Sequence, residues 1–167
     1  MGSASITGYS RPQKALHWTM ALLILFNLIF SDGMEHWNRL VRHGQPVTPA
    51  DTSSANIHAY VGIAILVLCL IRLCLRLVQG VPEAPLEEPP LAKLVAKIAH
   101  WAFYAIFILM PFTGIGKYYF GNETAGELHG GPLKLLLWAL IVLHILGVLV
   151  HQLYWRTNLL RRMAWAL

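Results

Sequence analysis

The sequence predicts an all-α protein: an integral membrane four-helix bundle with the N- and C-termini cytoplasmic. Three observations carry that expectation. Of the 167 residues, 56% are apolar and 13% charged, against about a quarter charged in an average soluble domain, so the chain cannot cover a water-exposed surface. The apolar residues gather into four runs free of Asp, Glu, Lys and Arg, at about 15–30, 57–71, 98–116 and 135–155. Basic residues flank those runs: Arg11 and Lys14 precede the first, Arg72 and Arg76 close the second, Lys93 and Lys97 open the third, and Arg156, Arg161 and Arg162 follow the last. A net charge of +5 placed in this way belongs to a membrane protein and excludes a nucleic-acid-binding face.

A helix rising about 1.5 Å per residue needs about 20 residues to cross about 30 Å of hydrocarbon, and each run reaches that length with its aromatic and amphipathic flanks. The expected spans are about 15–36, 56–77, 94–118 and 131–155 in a single membrane domain, 1–167. The first run is a retained span and not a signal peptide, because Asp32, Glu35 and His36 follow it instead of a small-residue cleavage site. The stretches 31–56, 79–92 and 117–134 must lie outside the hydrocarbon, where their backbone groups find partners. Pro82, Pro85, Pro89 and Pro90 break the chain between the second and third spans. Nine Lys and Arg occupy the N-terminus, the 72–97 connection and the C-terminus, against four (Arg39, Arg42, Lys117 and Lys134) in the other two loops. The positive-inside rule then places both termini in the cytoplasm.

Cys69 and Cys74 are five positions apart on the second helix, about 140° around its axis, and so are expected as small buried residues without a mutual disulfide. No C-x-x-C-H motif is present, which excludes covalent haem attachment.

The chemistry lies with the histidines. There are eight, and His17, His58, His100, His144 and His151 fall within or at the edges of the spans, with His129 just before the last. Polar side chains at membrane depth are expensive and by default functional. Zinc favours clustered ligands that include Cys, Asp or Glu, which these spans do not supply, and a proton pump normally adds intramembrane carboxylates. Axial ligation of haem iron by neutral imidazoles on facing helices needs neither. His17 lies near the inner surface, and His58 and His129 near the outer one. His144 lies 15 residues beyond His129, a rise of about 22 Å, so one helix can address two stacked cofactors. His144 and His151 are seven apart and share a face, leaving both open as partners of His17, with depth favouring His151. Gly62 and Gly147, close to His58 and His144, leave room for a flat macrocycle or for close helix packing.

Several segments together resemble the bacterial cytochrome b561 family: Ser10-Arg11-Pro12-Gln13-Lys14-Ala15-Leu16-His17-Trp18, Ile57-His58-Ala59-Tyr60-Val61-Gly62, Ile71-Arg72-Leu73-Cys74-Leu75-Arg76, and Leu143-His144 through His151, Tyr154-Trp155 and Leu159-Leu160-Arg161-Arg162-Met163. The resemblance covers nearly the whole chain. It implies a multi-pass cytochrome of the bacterial inner membrane holding two haem b groups, with superoxide as electron donor and ubiquinone as acceptor. It also implies the axial ligands: His17 and His144 at the inner haem, His58 and His129 at the outer one. His151 is then left free near the inner haem. His36 and His43 are the substitutes should His129 not serve.

On this expectation electrons enter at the outer side and leave to a quinone near the cytoplasmic surface, where His100, His151, Arg72 and Arg76 form a possible quinone site. Arg72 and Arg76 alternatively snorkel to lipid phosphates. Arg39, Arg42, Lys117 and Lys134 could steer superoxide, but Asp32, Glu35, Asp51, Glu123 and Glu127 share their loops and make the net sign slightly negative. The alternative function is a cytochrome b subunit or anchor linking the quinone pool to a periplasmic dehydrogenase, c-type cytochrome or other periplasmic redox protein. A haem-free small transporter is the third. Trp18, Trp37, Trp101, Trp155, Tyr118, Tyr119 and Tyr154 are assigned to the membrane interface, and Pro111 with Gly114 and Gly116 to a pliable kink in the third span.

Overall fold

The computed structural model describes residues 8–85, 87–157 and 159–164, and among these every regular element is helical. The elements are α1 (Arg11–Ile29), α2 (Asp32–Arg42), α3 (Pro49–Gln79), α4 (Pro90–Phe120), α5 (Glu123–Leu128), a π-helical stretch (His129–Leu133), α6 (Lys134–Leu153) and α7 (Leu159–Met163). Three continuous helical stretches are long and apolar enough to cross a membrane: α3, α4 and the run Glu123–Leu153. The bent pair α1 and α2 passes the same criterion when taken together, and counts as a fourth if it is one span.

Local chemistry sets the helix starts. Ser10 and Gln13 form a capping box at α1, and Thr48 and Asp51 form another at α3, each satisfying two otherwise orphaned backbone groups. Proline stands in the first turn of α1, α3 and α4, where its missing N–H costs nothing. Gly121 ends α4 at φ 65°, a left-handed conformation that favours glycine.

The core takes two residues from each long helix: Met20 and Ile24 of α1, Ile65 and Cys69 of α3, Tyr104 and Ile106 of α4, Leu137 and Leu140 of α6. α3 packs against α1, α2 and α4, and α4 in turn packs against α6. Large apolar residues such as Leu22, Leu77, Phe112, Leu135 and Leu153 are exposed on the outside of the bundle. In water such a surface would aggregate; in a bilayer it is the face that lipid solvates.

The first expected span, 15–36, contains a bend. α1 stops at Ile29 and the chain turns by 45° into α2. Ser31 and Asp32 interrupt the apolar run there, and Asp32 and Glu35 in the first turn with Arg39 and Arg42 in the last match the dipole of a separate helix. The expected loop 117–134 is also largely helical: α5, the π stretch and α6 form one continuous rod. Pro132 has no N–H to return to Leu128, which favours widening the turn where His129 sits. Cys69 is buried, but Cys74 is exposed, a correction to the expectation that both are buried.

The two ends of the bundle are distinct. At one, Ser10 Oγ donates to Gln79 Oε1 (2.7 Å), Gln13 Nε2 to the Gly80 carbonyl (3.0 Å) and Arg162 Nη1 to the Glu83 carbonyl (2.6 Å), so both termini and the proline-rich connection meet. At the other, Tyr118 Oη donates to Asn56 Oδ1 (2.8 Å), and Lys134 pairs with Glu35 (3.3 Å) and Lys117 with Glu123.

Candidate functional site

Four histidines form two facing pairs, one toward each end. At the end remote from the termini, the rings of His58 (α3) and His129 (π stretch) have centres 6.1 Å apart. At the terminal end, His17 (α1) and His144 (α6) are 6.2 Å apart. With metal–nitrogen bonds of about 2 Å and ring radii of about 1 Å, two imidazoles sharing one iron stand with their centres about 6 Å apart. Both pairs fit that requirement. No group of three or more His, Cys, Asp or Glu is placed to hold a metal among the described residues. Two imidazoles alone leave the equatorial positions of an iron open, which a porphyrin fills.

One histidine of the far pair is also held in a defined tautomer. His129 Nδ1 lies 2.8 Å from the Met110 carbonyl. A carbonyl only accepts, so Nδ1 bears the proton and Nε2 keeps its lone pair, the tautomer that metal-bound histidines adopt. Gly114 makes this approach possible: a Cβ there would stand 3.1 Å from His129 Cε1. Across the gap, Asn27 Nδ2 donates to the His58 carbonyl (3.1 Å), while His58 Nδ1 and Asn27 Oδ1 are buried without partners. Between the helices lies a cavity of about 210 Å³ bordered by His58, His129, Gly62, Phe107, Pro111 and Gly130. An apolar slot with an imidazole on each wall suits a flat macrocycle.

At the terminal end His144 has a second imidazole neighbour. His100 lies 5.8 Å from it, centre to centre, and Phe103 5.6 Å. His100 Nδ1 donates to the Ala96 carbonyl of its own helix at 2.6 Å. His151 stands apart: its contacts are Glu88, Thr157 and Trp155. The structure thus sets His144, not the depth-favoured His151, beside His17. His36 is engaged with Asp51 (3.4 Å) and His43 caps α2, so neither joins the far pair.

The two arginines are engaged within the bundle. Arg72 Nη1 donates to the Gln13 carbonyl (2.6 Å), and the Arg76 guanidinium lies over Trp101 and Tyr104 at 5.7 and 5.9 Å. Two features escape sequence reasoning. The role of Gly114 as the floor under His129 was hidden behind its neighbourhood to Pro111, and the buried Glu88 was one of several glutamates in a polar loop. Of the two expected macrocycle glycines, Gly62 borders the cavity, and a Cβ at Gly147 meets nothing within 4 Å.

Bis-imidazole pairs at both ends of an apolar helical bundle define a membrane electron-transfer protein of the cytochrome b class. The chain belongs to the prokaryotic cytochrome b561 family, whose model matches residues 8–166. It is 37% identical to a cytochrome b562 of Cereibacter sphaeroides over 156 residues, covering 93% of this chain and 94% of that protein. It is 29% identical over 175 aligned positions to a probable superoxide oxidase CybB of Yersinia pestis, again covering 93% and 94%. Membership makes it a multi-pass bacterial membrane cytochrome with oxidoreductase character, and b-type haem is the cofactor the family implies.

Proposed function

We propose that this cytochrome moves electrons across the bacterial inner membrane through two b-type haems, from superoxide on the periplasmic side to ubiquinone on the cytoplasmic side. The observation that carries the proposal is the pair of imidazole couples, 6.1 and 6.2 Å between centres, toward opposite ends of one bundle. His58 and His129 hold the outer haem, His17 and His144 the inner one. Each haem, when bound, supplies a one-electron carrier whose potential is set by imidazole ligation and burial.

The side assignment rests on charge. The end with both termini carries Arg11, Lys14, Arg72, Arg76, Lys93, Lys97, Arg156, Arg161 and Arg162, and is therefore cytoplasmic. Superoxide as donor is supported by the name of the Yersinia pestis relative. At the periplasmic mouth Lys134 and Lys117 are tied to Glu35 and Glu123, so these lysines add little net attraction for an anion. At the cytoplasmic end Arg72 and His100 lie near the inner pair and Arg76 near His100, while His151 stands beyond them beside Glu88; together they supply donors for a quinone oxygen and a path for its protons.

The test is superoxide-dependent reduction of ubiquinone by the purified protein in liposomes, with superoxide generated enzymatically outside. Reduction that superoxide dismutase abolishes supports the proposal. An intact dihaem spectrum without that activity overturns the donor assignment and transfers the role to a subunit serving a periplasmic dehydrogenase or c-type cytochrome, which a co-purifying partner would identify.

A further inference from the structure

Among the described residues Glu88 is the one buried carboxylate and His151 the one buried histidine, 6% and 7% exposed, and they touch each other. His151 Nε2 lies 3.4 Å from Glu88 Oε1, and His151 Nδ1 lies 2.9 Å from Thr157 Oγ1. The three groups form a line from the half-buried Thr157 near the C-terminus, through the imidazole, to a carboxyl turned away from water. We propose that Thr157, His151 and Glu88 are a proton inlet, with Glu88 the acid that protonates the quinone as it is reduced.

Three physical points support the assignment. The carboxyl and the imidazole stand 3.4 Å apart with little access to water, so a proton can pass between them after a small approach. An imidazole with a hydroxyl at one nitrogen and a carboxyl facing the other can take a proton at one face and release it at the other, as no other side chain can at neutral pH. The position of Glu88 is fixed: Pro85 and Pro89 stiffen its loop, Glu88 N–H donates to the Pro85 carbonyl (3.3 Å), and Arg162 and Gln13 tether the loop at Glu83 and Gly80. From the bundle, His100 of α4 is the titratable group within electrostatic reach of Glu88, and Arg72 and Arg76 of α3 act on His100 in turn; on the side of α7, Arg162 bonds the Glu83 carbonyl of the same loop. This inference rests on the quinone lying at the cytoplasmic end.

The step balances. A quinone takes two electrons and two protons, and both of its carbonyls become hydroxyls. At each proton delivery the Glu88 O–H bond breaks and a quinone O–H bond forms. The carboxylate recovers its proton from His151 Nε2–H while Nδ1 takes one through the Thr157 hydroxyl from cytoplasmic water. That leaves the ring as the Nδ1–H tautomer; rotation about Cβ–Cγ, with the Nδ1 proton released to water and one taken at Nε2, restores Nε2–H before the next delivery.

The experiment compares Glu88→Gln, Thr157→Val and His151→Ala in the haem-loaded, full-length protein. Pre-reduced protein is mixed with ubiquinone, which needs protons, or with ferricyanide, which does not. Expected for Glu88→Gln is an at least tenfold slower reoxidation by quinone, of the order general acids contribute, with partial rescue by a small weak acid. Its haem content and ferricyanide rate stay as in the parent, which a merely structural contact would not separate. Thr157→Val should leave the first turnover intact and slow the following ones. Normal quinone rates in both Glu88→Gln and Thr157→Val, with loss in His151→Ala, overturn the inlet and leave the quinone site standing. Normal rates in all three overturn the site as well. Should Glu88→Gln lose haem, Thr157→Val alone decides.

Discussion

Enlarging Gly114 tests the outer site without touching a ligand. A Cβ at this position would lie 3.1 Å from His129 Cε1 and 3.2 Å from Nδ1, inside the about 3.5 Å at which carbon contacts become favourable. Gly114→Ala therefore displaces the ring by a few tenths of an ångström, for a cost of about 1 kcal/mol, roughly fivefold in outer-haem affinity. Gly114→Val has no such escape. It separates His129 Nδ1 from the Met110 carbonyl, now 2.8 Å away, losing about 1 kcal/mol of hydrogen bond on top of about 2 kcal/mol of overpacking. Together these approach a hundredfold or more in affinity. The assay is haem per chain with a reduced-minus-oxidised spectrum and redox titration. Gly114→Val should keep one haem and lose the other, the retained inner haem proving that the bundle folded. Gly114→Ala should keep both and shift the potential of one. Two haems with unshifted potentials in Gly114→Val would refute the placement of His129 against Gly114.

Two other perturbations follow from side-chain contacts. Glu35→Gln frees Lys134, its partner at 3.3 Å, beside the cavity mouth; a unit charge about 8 Å from an approaching anion in water is worth about 0.5 kcal/mol, so superoxide oxidation should rise about twofold at low salt and the gain should vanish at high salt. Equal rates at low salt would remove electrostatic steering from the outer site. Arg72→Met removes the 2.6 Å bond to the Gln13 carbonyl that joins α3 to α1, and should cost about 2 kcal/mol, seen as a lower thermal midpoint in detergent with both haems retained. An unchanged midpoint would show that contact to be energetically silent.

Much of the fold is legible because the bilayer imposes simple rules. Charge-free runs mark the helices that cross it, and the basic residues mark the side on which they cluster. What the sequence concealed is local. The break after Ile29 depends on Ser31 and Asp32 in a stretch that still reads as one span by length. The helix through residues 123–133 was hidden because Gly130, Gly131 and Pro132 signal a loop, whereas in the structure they form a widened turn that carries His129. For the histidines, spacing alone could not separate His144 from His151, since both lie on one face of α6. The difference is tertiary: Glu88 and Thr157 engage His151, and His17 faces His144. Exposure of Cys74 was equally invisible, because an apolar residue on a membrane helix can face core or lipid with the same pattern.

The central claim is that four particular histidines hold two haems. The most direct measurement is haem per chain, with reduced-minus-oxidised spectra, for the parent protein and for His17→Ala, His58→Ala, His129→Ala, His144→Ala, His151→Ala and His100→Ala. Expected are two haems in the parent, loss of one haem in each of the first four variants, and two in His151→Ala and His100→Ala. Loss in His100→Ala with retention in His17→Ala would re-pair His144 across 5.8 Å with His100; a single haem in the parent, or loss confined to His151→Ala, would contradict the dihaem arrangement itself.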